Sequence, residues 1–75
     1  MKQYIELQVA CPSEEIAEII TAYLADYEFE SFDTIAEAEG VTLYAYRKSE
    51  EWESCRNEAI EAIEEFGKVT SESEI

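Results

Sequence analysis

The stretch Tyr4-Ile5-Glu6-Leu7-Gln8-Val9-Ala10-Cys11-Pro12-Ser13-Glu14-Glu15-Ile16 decides how this chain folds, because the spacing of its apolar residues changes partway along. Ile5, Leu7 and Val9 alternate with Tyr4, Glu6 and Gln8, the period of a strand buried on one side only. After Pro12 the apolar positions become 16, 19, 20, 23 and 24, the spacing of one helix face. Ser13 stands where an N-cap belongs, and Glu14 and Glu15 follow at the positive end of the helix dipole. This predicts a strand over Tyr4–Ala10 and a helix running to about Asp26, its stripe covering a sheet.

The same pair of periods recurs downstream. Val41, Leu43 and Ala45 alternate, and Trp52 to Phe66 returns to helical spacing, with Trp52, Cys55, Ala59, Ala62, Ile63 and Phe66 as the buried face. Ser49, ahead of Glu50 and Glu51, is expected to open this second helix as Ser13 opens the first, and Gly67 to terminate it. The segment Phe29–Ala38 lacks clean alternation and reads as the first arm of a hairpin turning near Glu39 and Gly40. Lys68 to Ile75, with Val69, Ser71 and Ser73, makes a weak last strand that stops partway, as in a piece of a longer chain. Two strand-helix-strand crossovers flanking a hairpin define an α+β, ferredoxin-like βαββαβ sandwich. Right-handed crossovers place both helices on one face of a four-stranded antiparallel sheet.

Size and charge restrict what such a domain does. Seventy-five residues make one small domain over residues 1–75. A chain this short buries only about 60% of its unfolded surface and has no room for a deep substrate cavity. Nineteen acids against five bases give a formal charge of −14. Nucleic acid and anionic lipid would be repelled, whereas a basic protein would be steered in. An acidic surface also simply confers solubility. Neither Cys11 nor Cys55 belongs to a Cys-x-x-Cys pair, and there is no histidine, so soft metal ligands and a thioredoxin-like redox motif are missing. Both thiols read as buried or half-buried residues of a reducing compartment. Met1 to Glu6 lacks the apolar run of a signal peptide and no stretch approaches a membrane span, which makes the cytoplasm the expected location.

No catalytic, cofactor-binding or metal-ligating set can be assembled. The acids fall on expected solvent faces, Glu61, Glu64 and Glu65 lack the loop of a hard-cation site, and the only glycines, Gly40 and Gly67, form no phosphate cradle. What remains is a surface. If Ile5, Leu7, Val9, Val41, Leu43 and Ala45 meet the helices, the open sheet face collects Tyr4, Thr42, Tyr44 and Tyr46, with Phe32 as a further candidate. RNA stacking on this face is opposed by the charge. A protein contact suits tyrosine, and so does cross-strand stabilisation of a small sheet.

Tyr4-Ile5-Glu6-Leu7, the helix after Pro12-Ser13-Glu14, Phe29-Glu30-Ser31-Phe32 and the hairpin into Gly40-Val41 with Leu43-Tyr44-Ala45-Tyr46 carry a resemblance along the whole chain. It resembles the N-terminal domain of the ribosomal protein L-eleven methyltransferases (PrmA family), of the Bacteroidetes type. The resemblance implies a substrate-recognition domain for a basic large-subunit ribosomal protein. It further implies a covalently linked domain, outside this chain, that binds S-adenosylmethionine and methylates lysine and N-terminal amines. This chain alone would then be no enzyme and hold no cofactor, with Tyr4, Phe32, Tyr44 and Tyr46 as candidate partner-binding residues. One departure is Glu28, where that family carries glycine in a left-handed helix end, so either Glu28 is strained or the helix ends differently. The alternative from another class is a stand-alone ferredoxin-like regulatory or dimerisation module, pairing through a poorly alternating edge strand and binding a small molecule or protein.

Overall fold

A computed structural model describes residues 3–75; Met1 and Lys2, part of the stretch read above for a leader, lie outside the described residues. The chain runs β1 (Tyr4–Cys11), α1 (Glu14–Ala25), β2 (Ser31–Glu37), β3 (Gly40–Lys48), α2 (Trp52–Ile63) and β4 (Lys68–Glu74). The strands form one antiparallel sheet in the order β2-β3-β1-β4, the ferredoxin-like arrangement. Ile5, Leu7, Val9, Val41, Leu43 and Ala45 are all buried, and they form one core with Ala17, Ile20, Leu24, Phe29, Trp52, Ala59 and Ile63. The period-two alternation of β1 and β3 therefore divides a helix-facing side from an open side.

Local chemistry explains the element ends. The Ser13 hydroxyl accepts the amide of Ile16 at 3.3 Å, the expected N-cap of α1. At the other end the amides of Glu28 and Phe29 donate to the carbonyls of Ala25 and Leu24, at 3.1 and 3.2 Å. This pair of bonds is a Schellman closure, and buried Leu24 and Phe29 supply its usual apolar contact. The closure places Glu28 at φ 70°, so the strained alternative holds and the helix ends as a glycine would end it.

Several expectations are corrected. Ile19 and Tyr23 do not join the buried stripe; they are 40% and 41% exposed, and the buried line is Ala17, Ile20 and Leu24. A core this small accepts one narrow line from α1, and Tyr23 instead stacks on Phe66 outside it, with ring centroids 5.5 Å apart. Ser49 does not cap α2. Glu51 holds that position at φ 63° without a side-chain bond, and the Ser49 carbonyl accepts the amide of Trp52. α2 stops at Ile63, leaving Phe66 half-buried beyond it.

Gly67 is not a left-handed terminator. A Cβ there would sit 2.8 Å from the Ala10 carbonyl oxygen and 2.9 Å from Ile20, so close packing demands the glycine. Gly40 combines φ 141° with an approach that would bring a Cβ to 2.3 Å from the Cys11 oxygen, and the turn falls one residue earlier than expected, at Ala38 and Glu39. β4 follows β1 from Ala10 to Ile5, with a bulge that leaves Thr70 unmatched.

Among the described residues Arg47 is the one buried charged residue, 4% exposed. Its guanidinium donates to the carbonyls of Tyr27 (2.6 Å), Lys48 (2.7 Å) and Glu50 (2.7 Å), and its centre lies 5.5 Å from the Trp52 ring centroid. Trp52 in turn meets Phe29 edge-on, centroids 5.4 Å apart. The arginine thus ties the end of α1 and the start of α2 to β3, and its charge sits at the negative end of the α1 dipole.

Two outcomes are expected in urea denaturation. Glu28→Gly, which relieves a left-handed side chain, raises stability by up to about 1 kcal/mol at unchanged m-value, and a loss would contradict the strain. Arg47→Met orphans carbonyls in two loops and lowers stability by about 3 kcal/mol, with Arg47→Lys recovering only part because an ammonium cannot reproduce the planar fork.

Candidate functional site

The open face of the sheet is assembled by register. One row across the four strands is Ser31, Tyr46, Glu6 and Ser73; the next is Asp33, Tyr44, Gln8 and Ser71; a third is Ile35, Thr42, Ala10 and Lys68. Tyr4 lies opposite Lys48 at one end. Tyr4, Tyr44 and Tyr46 are half-buried and share the face as expected. Phe32 does not join them. It pairs with buried Ala45 and packs against the core, which puts it on the helix side. Ile35, 49% exposed, is the apolar residue that the open face holds in its place.

Polar contacts organise the tyrosines. The Tyr46 hydroxyl donates to one oxygen of Glu6 at 2.9 Å, and the Gln8 amide donates to the other at 3.2 Å. Glu6 is thereby held upright between two strands. The bond to Glu6, reinforced by partial burial and by the negative charges of Glu6 and Asp33, pushes the Tyr46 phenol above its ordinary range. Tyr44 stands between Asp33 and Gln8. The face thus presents aromatic area and carboxylates at its centre, with the basic side chains Lys48 and Lys68 at its two ends.

Elsewhere the chemistry is structural. Glu72 pairs with Leu7 and so points to the helix side, where it accepts from the Trp52 indole at 2.8 Å and meets Arg56 at 2.7 Å. The Arg56 guanidinium, helped by that indole, lowers the Glu72 carboxyl against a smaller opposing effect of burial. This is a tie between α2 and β4, not a paired acid and base in a pocket. The Tyr27 hydroxyl donates to Glu58 at 3.0 Å and ties the end of α1 to α2. Cys11 is buried and Cys55 half-buried, both free, with Cys55 sulfur 3.5 Å from the Arg47 guanidinium. Burial raises the Cys11 thiol. Among the described residues no cluster of three potential metal ligands occurs, and no helix is long and apolar enough to cross a membrane.

Sequence reasoning did not single out Glu6 or Ile35. The signal was present for both: once β1 is paired with β3, Glu6 falls opposite Tyr46, and β2 alternation about Phe32 sends Ile35 outward. Compared with protein-family models, characterised proteins and solved structures, the chain matches none.

Tyr46 should ionise above the ordinary tyrosine value near 10.0. Because the folded-state value is the higher one, the stabilising effect of this bond is complete below the unfolded value and is lost as pH rises through the folded one. An ultraviolet pH titration checks this: Glu6→Gln should lower the pH at which Tyr46 ionises, and an unchanged titration would mean the bond is not populated.

Proposed function

We propose that this chain is a recognition module that binds a basic protein through its open sheet face and performs no chemistry itself. The observation that supports this reading is the row structure of that face, where Tyr44 and Tyr46 on a central strand are bordered by Glu6 and Asp33. Tyrosine provides large contact area with a polar tip at low entropic cost, and carboxylates beside it select cationic partners. The net charge of −14 extends that preference to long range by steering a basic partner inward.

The resemblance of the sequence to the ribosomal protein L-eleven methyltransferases gives the partner a name. In this reading the partner is a basic large-subunit ribosomal protein, met in the cytoplasm. A covalently linked domain binds S-adenosylmethionine and transfers the methyl group to lysine and N-terminal amines. This chain holds the substrate while that domain acts.

The alternative of a self-pairing regulatory dimer finds little support at the sheet edges. The bulge at Thr70 interrupts β4, and Asp33 and Glu37 on β2 would face their own copies.

Isothermal titration with the purified N-terminal domain of that ribosomal protein tests the reading. Binding is expected at low salt and weakened at high salt. Tyr44→Ala and Tyr46→Ala should each weaken it by roughly tenfold or more. No heat at either salt overturns the reading, and full-strength binding by both variants moves the contact off this face.

A further inference from the structure

The sheet has two edges, and they are built differently. β4 carries a bulge and begins with Lys68, two devices that discourage a further strand. β2 pairs with β3 over Ser31–Glu37 without a register break, contains no proline or lysine, and is exposed along its length except at half-buried Phe32. Among the described residues no strand neighbours its outer edge.

Beside this edge, on the helix side, a cleft runs between β2 and α1. It is lined by Glu14, Ala17, Glu18, Thr21 and Thr34. Across the whole stretch from Asp26 to Tyr46 the charged residues are Asp26, Glu28, Glu30, Asp33, Glu37 and Glu39, all acidic. Arg47, the next base in sequence, is buried on carbonyls and neutralises none of them from outside.

We propose that β2 is a docking edge for an extended, lysine- or arginine-rich segment of a partner protein, which adds to the sheet as a fifth, outer strand. Main-chain bonds to β2 provide the affinity, and alternate side chains provide the selection. Those on the open side come beside Asp33 and Glu37, which lie in the rows of Tyr44 and Gly40. Those on the helix side enter the cleft, laying their aliphatic stems along Ala17 and Thr21 with their charged ends at Glu14 and Glu18. A second copy of this chain is a poor occupant, because it would set Asp33 and Glu37 against an identical acidic strand. The inference rests on the basic-partner reading above and specifies how such a partner engages; it places the contact on the edge adjoining the tyrosine face.

The test uses the full chain, isotope-labelled, with a short peptide of alternating lysine and threonine and the same peptide N-methylated at alternate backbone amides. Expected are slowed hydrogen exchange at alternate β2 amides with the first peptide, and binding weaker by about tenfold or more with the second, which keeps the charge and loses backbone bonds. Asp33→Lys combined with Glu37→Lys, both exposed substitutions, should abolish binding of the first peptide. Equal binding of the two peptides, or shifts confined to Tyr44 and Tyr46, overturns strand addition and leaves the basic-partner reading standing. If the ribosomal protein binds and the peptide does not, strand addition alone falls; if neither binds, the reading falls with it.

Discussion

The hydrogen bonds of the Arg47 guanidinium to three main-chain carbonyls are the interaction on which the rest of the molecule depends. Two of these carbonyls, of Tyr27 and Glu50, immediately precede Glu28 and Glu51, both non-glycine residues in left-handed conformation. Each conformation is unfavourable by itself, and each persists because the carbonyl beside it is fixed by a buried cation. Glu28 closes α1 and Glu51 opens α2, so one side chain of β3 sets where both helices meet the sheet. Trp52 completes the arrangement: its face receives the guanidinium, its edge packs on Phe29, and its indole bonds to Glu72 on the opposite edge strand. A chain too short for a large core gains definition from polar groups that are fully satisfied, and no buried side-chain polar atom lacks a partner among the described residues.

Charge is distributed to match. The buried guanidinium of Arg47 is consumed internally, and Arg56 is committed to Glu72. Most of the acids stay in water, where their mutual repulsion opposes compactness but keeps the surface uniformly attractive to cations. The open face and the β2 edge are continuous with one another, since Asp33 and Tyr44 share a row. The proposed basic partner would therefore meet aromatic area, carboxylates and edge main-chain groups in one sweep, while the buried side of the same sheet carries the stability. In the proposed reading, recognition and folding use opposite faces of β1 and β3.

The regions where the sequence reading succeeded and failed differ in physical character. Strands β1 and β3, paired on both sides and buried on one, carry clean alternation, so their inward and outward residues could be assigned in advance, including Tyr4, Tyr44 and Tyr46. β2 is an edge on which Phe32 alone is half-buried, too little burial for the sequence to show which way its alternation runs, so the expectation that Phe32 joins the open face fails. α1 carries more apolar residues than its core line can take, which is why Ile19 and Tyr23 were misread as buried. Gly67 looked like a helix terminator by composition, whereas its reason lies in the Ala10 carbonyl and Ile20, both distant in sequence.

Hydrophobic periodicity is local, one residue's water exposure repeating every two or every 3.6 positions, and the sequence by itself therefore determined the order of elements, the fold class and the membership of the central-strand faces. The acidic balance and the want of metal ligands or a phosphate loop were equally legible, because they depend on composition alone. What only the tertiary structure decided are pairings between residues far apart in sequence: Arg47 with Tyr27 and Glu50, Tyr46 with Glu6, Glu72 with Trp52 and Arg56, and the cleft of Thr34 beside α1. Such pairings arise from register and close packing, which a one-dimensional pattern does not encode, and they set both the strained helix ends and the make-up of the open sheet face.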